Sequence, residues 1–139
     1  MSASIALAPP SAADPIAAFQ SEVASLRGQT SCPPLRYNAV VEQAADYINQ
    51  STDQYLDRTA RQVPITDPLP LLNDLGYTPS KAKLMQGVAP TDAESMQGTI
   101  LQARAYDVIS DCGYRDFGVS RRQNQTSGLI LTAMLFAAL

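Results

Sequence analysis

The stretch FGVSRRQNQTSGLILTAMLFA, residues 117–137, decides the fold. Phe117 to Arg122 and Gly128 to Ala137 read as two strands. The polar run Gln123-Asn124-Gln125-Thr126-Ser127 between them reads as their turn. The apolar tail from Leu129 to Leu139 falls far short of the ~20 residues a membrane helix needs. It is read as a buried strand, and no transmembrane segment is expected. Upstream, Thr91 caps a helix, with Glu94 three residues later completing a capping box. Met96, Ile100, Leu101, Val108 and Ile109 line its inner side, and Asp111-Cys112-Gly113 breaks it. Lys83 to Val88 suits a short strand.

Three more helices precede that strand. Asp14-Pro15 supplies a cap and a first-turn proline, followed by Ile16, Phe19, Val23 and Leu26 on one face, with Gly28 as the stop. Asn38 caps a second helix. Val41, Ala44, Ile48 and Tyr55 form its buried stripe, while Glu42, Asp46, Asp53 and Asp57 are read as a solvated face. It fades near Arg61, because Pro64 disfavours helical geometry in the residue before it. Asp67-Pro68 repeats the cap and proline before a short helix through Leu71, Leu72 and Leu75 that ends at Gly76. Helices first and a strand pair last give an α+β pattern, not alternating βαβ units. Residues 1–13 are expected to be a flexible lead, and 14–139 one domain.

Composition narrows function by exclusion. Apolar residues make up 45% of the chain and charged residues 17%, which suits a globular core rather than disorder. The chain contains no histidine. Ser-His-Asp and Cys-His catalysis and histidine-bound zinc are thereby excluded on it. Ser80 with Lys83 matches the Ser-x-x-Lys spacing, but no Ser-Asp-Asn or Lys-Thr-Gly partner motif accompanies it. Net charge is −3. The one basic doublet, Arg121–Arg122, reads as two solvated arginines at a hairpin end, so no nucleic-acid partner is expected. Asp46, Asp53 and Asp57 lie along a helix, which cannot converge the roughly six to eight oxygens that calcium takes. Asn49-Gln50-Ser51 and Asn124-Gln125-Thr126 match the glycosylation sequon but carry no weight alone.

The two cysteines, Cys32 and Cys112, can form one disulfide or remain buried thiols. Both sit in turn-like settings, Ser31-Cys32-Pro33-Pro34 and Asp111-Cys112-Gly113. Buried structural thiols lie more often within apolar runs, which favours the disulfide and a place outside the reducing cytosol. The N-terminus shows no intact signal peptide.

Several segments, taken in order, resemble the CAP superfamily of cysteine-rich secretory, antigen 5 and pathogenesis-related-1 proteins, in a degenerate bacterial form. They are Val23-Ala24-Ser25-Leu26-Arg27, Pro34-Leu35-Arg36-Tyr37-Asn38, Gln43-Ala44-Ala45, Leu75-Gly76-Tyr77, Asp107-Val108-Ile109 and Gly113 to Val119. The resemblance implies a CAP-like α-β-α sandwich, with about four helices around a small antiparallel sheet. Many members of that family have a cleft with two histidines and two glutamates, and some bind zinc or another divalent ion there. Carried over by position, one glutamate falls on Ala82, one histidine near Arg104 and the other within Leu56 to Arg61. The metal site is therefore expected to be lost, with no cofactor. Lys81, Lys83 and Arg104 are left as a possible cationic ligand cleft. The resulting expectation is a secreted or cell-envelope protein, not an enzyme, that binds a lipid or an envelope component. A hydrolase or protease-like enzyme with a non-histidine site, and a purely protein–protein interaction module, are the alternatives.

Overall fold

The computed structural model describes residues 14–58, 64–101 and 104–139. The expected flexible lead, residues 1–13, lies outside the described residues. In chain order the elements are α1 (Pro15–Gly28), β1 (Arg36–Tyr37), α2 (Ala39–Leu56), α3 (Pro68–Asp74) and β2 (Lys81–Ala89). They continue with α4 (Asp92–Leu101), α5 (Ala105–Ile109), β3 (Asp116–Gln123) and β4 (Ile130–Ala138). The caps form where the sequence places them. Asp14 accepts from Ala17 N, Asn38 from Val40 N and Val41 N, Asp67 from Leu69 N, and Thr91 Oγ1 from Glu94 N. Each satisfies a backbone donor that the first helical turn cannot.

The strands assemble in the order β1-β3-β4-β2. β4 runs antiparallel to both β2 and β3, and β4 is buried along its whole length. Central position removes both faces and both edges from water, which explains an unbroken apolar run where a half-exposed strand would alternate. The side chains still alternate between two layers. Met134 and Phe136 pack with Phe19, Val23, Met85, Val108 and Ile109. Ala133, Leu135 and Ala137 pack with Val41, Ala44, Ala45, Ile48 and Leu72. Thus α1 and α5 contribute to the core on one face of the sheet, and α2 and α3 to the core on the other.

Close approach is set by glycine. A Cβ at Gly118 would lie 2.6 Å from the carbonyl carbon of Val41, so α2 can rest on β3 only because no side chain is there. Gly87 does the same for α4, where a Cβ would lie 2.9 Å from Thr99 N.

Several expectations change. The sheet is mixed, because β1, absent from the sequence reading, pairs parallel with β3. The fourth helix divides in two: Arg104 adopts a left-handed conformation with φ 54° and restarts the chain as α5. Gly28 is the last helical residue rather than the residue after it. α2 ends at Leu56, and Arg58 is left-handed with φ 56°, so the turn comes before the expected fade at Arg61, which lies outside the described residues. Tyr55 and Leu101, expected inside, are 49% and 63% exposed. Asp53, expected in solvent, is buried.

Candidate functional site

Chemistry-bearing side chains gather at both ends of β2 and at the hairpin. At the first end, the Lys81 ammonium lies 2.6 Å from Asp111 Oδ2 and 4.5 Å above the Tyr114 ring. The hydrogen bond raises the Lys81 pKa and lowers that of Asp111, each partner favouring the other's charged form. Lys83 follows two residues on, so it shares the strand face of Lys81 and Met85. It is exposed, and its side chain makes no hydrogen bond or ion pair among the described residues. Arg104 is exposed at the start of α5 and makes no capping bond. No bond links Lys81, Lys83 and Arg104 to one another among the described residues. Ala82 packs toward the α2 and α3 layer instead.

Beside Lys81 lies the disulfide. Cys32 and Cys112 are bonded with their Cα atoms 5.0 Å apart. The residue that organises their surroundings was legible only as part of a family pattern: Arg27, at the end of α1, is 1% exposed. Its Nε donates to Pro33 O at 2.8 Å. Nη1 donates to Ile109 O at 2.8 Å and to Asp111 O at 3.0 Å, and Nη2 donates to Tyr114 O at 2.8 Å. Burial, and then the nearby Arg115 charge, lower its pKa. A guanidinium's planar fork of donors suits several carbonyls at once, which an ammonium's geometry does not.

At the hairpin, the two arginines read as solvated are ion-paired. Arg121 Nε lies 2.7 Å from Asp92 and Arg122 Nε 2.6 Å from Asp53. Asn124 Nδ2 donates to Asp53 at 2.7 Å and to Asp57 at 3.0 Å, while its Oδ1 accepts from Ser127 N at 2.8 Å. Asp53 and Asp57 hold the hairpin to the end of α2, and Asp92 holds it to the start of α4. Among the described residues no group of three or more His, Cys, Asp or Glu side chains is placed to hold a metal. Asn49 and Asn124 are each 1% exposed, so neither sequon offers its amide to a glycan in the folded state. Ser80 Oγ donates to Ala138 O at 3.1 Å, so the hydroxyl of the Ser80–Lys83 spacing is bonded to backbone.

A second buried group anchors the sheet's other edge. Tyr77 Oη donates to Asp116 Oδ2 at 2.5 Å, and Arg36 Nε lies 3.1 Å from Asp116 Oδ1. Burial and the Asp116 carboxylate push the Tyr77 pKa well above the ordinary phenol value.

At the far end of β2, Val88 and Ala89 face Glu94, Gln97, Gly98 and Leu101 of α4 across an open recess of about 310 Å³. Val88 is 50% exposed and Leu101 63%, so two large apolar side chains flank it in water. A smaller recess of about 90 Å³ lies between α1 and the Cys32 loop, beside Arg27 and Leu35.

Among solved structures, the fold is similar to an outer surface protein of Borrelia burgdorferi, with TM-score 0.68 and 11% identity, covering 89% of this chain and 92% of that one. It is also similar to a cysteine-rich secretory protein of Staphylococcus aureus, with TM-score 0.68 and 12% identity, over 94% of this chain and 40% of that one. A third is an extracellular SCP-domain protein of Bacillus anthracis, with TM-score 0.58 and 14% identity, over 90% of this chain and 40% of that one. The fold is therefore CAP-like. No protein-family model matches the chain, and no curated protein matches it. At these identities the likeness speaks for architecture alone.

Proposed function

We propose that this chain is an exported, non-catalytic module that works by binding a protein partner at the cell envelope. The observation that carries the reading is the recess between β2 and α4, flanked by exposed Val88 and Leu101. Solvent-exposed apolar residues around a concavity suit an apolar anchor from a partner, and the Glu94 carboxylate at the rim suits a basic residue beside that anchor. An acyl chain would need an enclosed apolar cavity; the recess beside Arg27, between described residues, is about 90 Å³, below the roughly 300 Å³ at which ligand pockets begin. Export is supported by the disulfide and by the extracellular or outer-surface nature of the structural neighbours. A non-catalytic role is supported by the missing histidine and by the backbone bond that occupies Ser80.

Hydrogen exchange of the protein, alone and with an envelope preparation from its own host, tests the reading. Slower exchange is expected at Val88–Ala89 and in α4. Protection elsewhere with the groove unchanged would refute the site. A bound lipid mass in a native mass spectrum of protein from the same host would favour the lipid reading.

A further inference from the structure

The two loops that carry the cysteines are held together by bonds in which sulfur takes no part. Pro33 follows Cys32, and Asp111 precedes Cys112. Both of those carbonyls accept from the single guanidinium of Arg27, at 2.8 and 3.0 Å. The same group holds Ile109 O and Tyr114 O on either side. Within the first loop, Thr30 Oγ1 donates to Arg27 O at 2.6 Å and accepts from Cys32 N at 3.1 Å. Within the second, Asp111 Oδ1 accepts from Gly113 N at 2.9 Å. Just beyond them, Arg36 N donates to Arg115 O at 2.8 Å, which begins the β1–β3 pairing. Each of these bonds is available to a chain whose cysteines are reduced. Cys32 Sγ also lies 3.4 Å from Ser110 O.

We propose that Arg27 is the template on which the Cys32–Cys112 disulfide closes: the chain folds reduced, and oxidation seals a site already formed. The separation of 80 residues makes this consequential. In an unfolded chain the entropy of closing so long a loop opposes the meeting of the thiols. In the folded reduced chain Arg27 has already brought them together. The oxidant is a small disulfide such as glutathione disulfide. One protein thiolate attacks it and releases one glutathione as thiolate, leaving a mixed disulfide. The second protein thiolate then displaces the other glutathione. Two protein thiols and one glutathione disulfide thus become one protein disulfide and two glutathione thiols. Cys112 is exposed and Cys32 half-buried, which makes Cys112 the point of entry.

The test is equilibrium of the full chain with reduced and oxidised glutathione, reading the oxidised fraction by alkylation and mass spectrometry. Arg27→Lys keeps the charge but loses the fork. It is expected to lower the effective concentration of the thiol pair by about tenfold or more, whereas a change within about twofold would overturn the proposal. If Arg27→Lys does not fold, the Cys32→Ser/Cys112→Ser variant decides. With Arg27 intact it is expected to unfold cooperatively and to keep a slowly exchanging Arg27 Nε–H signal. A double-serine chain that is unfolded, or whose Nε–H exchanges freely, would overturn it.

Discussion

Arg27 and Tyr77 show how much of this molecule rests on single buried polar groups. Truncating Arg27 to methionine leaves the carbonyls of Pro33, Ile109, Asp111 and Tyr114 without their donor. A buried acceptor stripped of its partner costs roughly 1–3 kcal/mol, and some of these regain water, so about 3–5 kcal/mol in total is expected by urea denaturation. For Tyr77, the folded pKa stands above the unfolded value of 10.0. The native state therefore keeps its proton where the unfolded state has lost it. Its contribution is complete below about pH 10 and declines as pH rises beyond that. Tyr77→Phe is expected to lower stability at neutral pH by about 1–2 kcal/mol. It should also flatten the alkaline fall, as measured by denaturation at a series of pH values. Neither role was visible from composition. Arg27 follows an apolar helical face like any charged residue that ends a helix. Only the folded chain brings the carbonyls of residues 109 to 114 around it.

Among the elements, those with strong local signals were legible and those set by tertiary contact were not. Asp14-Pro15, Asn38, Asp67-Pro68 and Thr91 mark helix starts through bonds within the first turn, and all four hold. β1 spans only Arg36–Tyr37, and its pairing partner Asp116–Phe117 lies far along the chain, so no local pattern announces it. Apolar spacing located the inward stripe of α4 at Ile100 but carried it one residue too far, to Leu101. The burial of Asp53 depends on Arg122 and Asn124 arriving from the hairpin, which a helical wheel cannot show. Two glycines now separate by role. Gly118→Ala places a methyl against the α2 backbone and is expected to cost about 1–3 kcal/mol, read as a lower denaturation midpoint. A Cβ at Gly28, inside α1, meets nothing within 4 Å. Gly28→Ala is expected to stabilise by about 0.4–1 kcal/mol in the same assay.

For the whole molecule, the α+β class followed from the order of elements and the sandwich from the resemblance to the CAP superfamily, and the sheet lies between two helical layers as a sandwich requires. The disulfide was legible from the turn settings of its cysteines. Replacing both by serine is expected to lower stability by about 4 kcal/mol in the chain-entropy model, measured by urea denaturation. The groove between β2 and α4 was not legible. It arises because Gly87 draws α4 onto the sheet while Val88 and Leu101 remain in water, and neither residue signals this alone. Binding through that groove is the claim on which the functional account stands. The direct measurement compares envelope binding by the native chain and by a Val88→Asp/Leu101→Asp variant, with thermal midpoints taken alongside. Loss of binding by about tenfold or more at an unchanged midpoint is predicted, as for removal of a buried apolar anchor. Undiminished binding by the variant would contradict it.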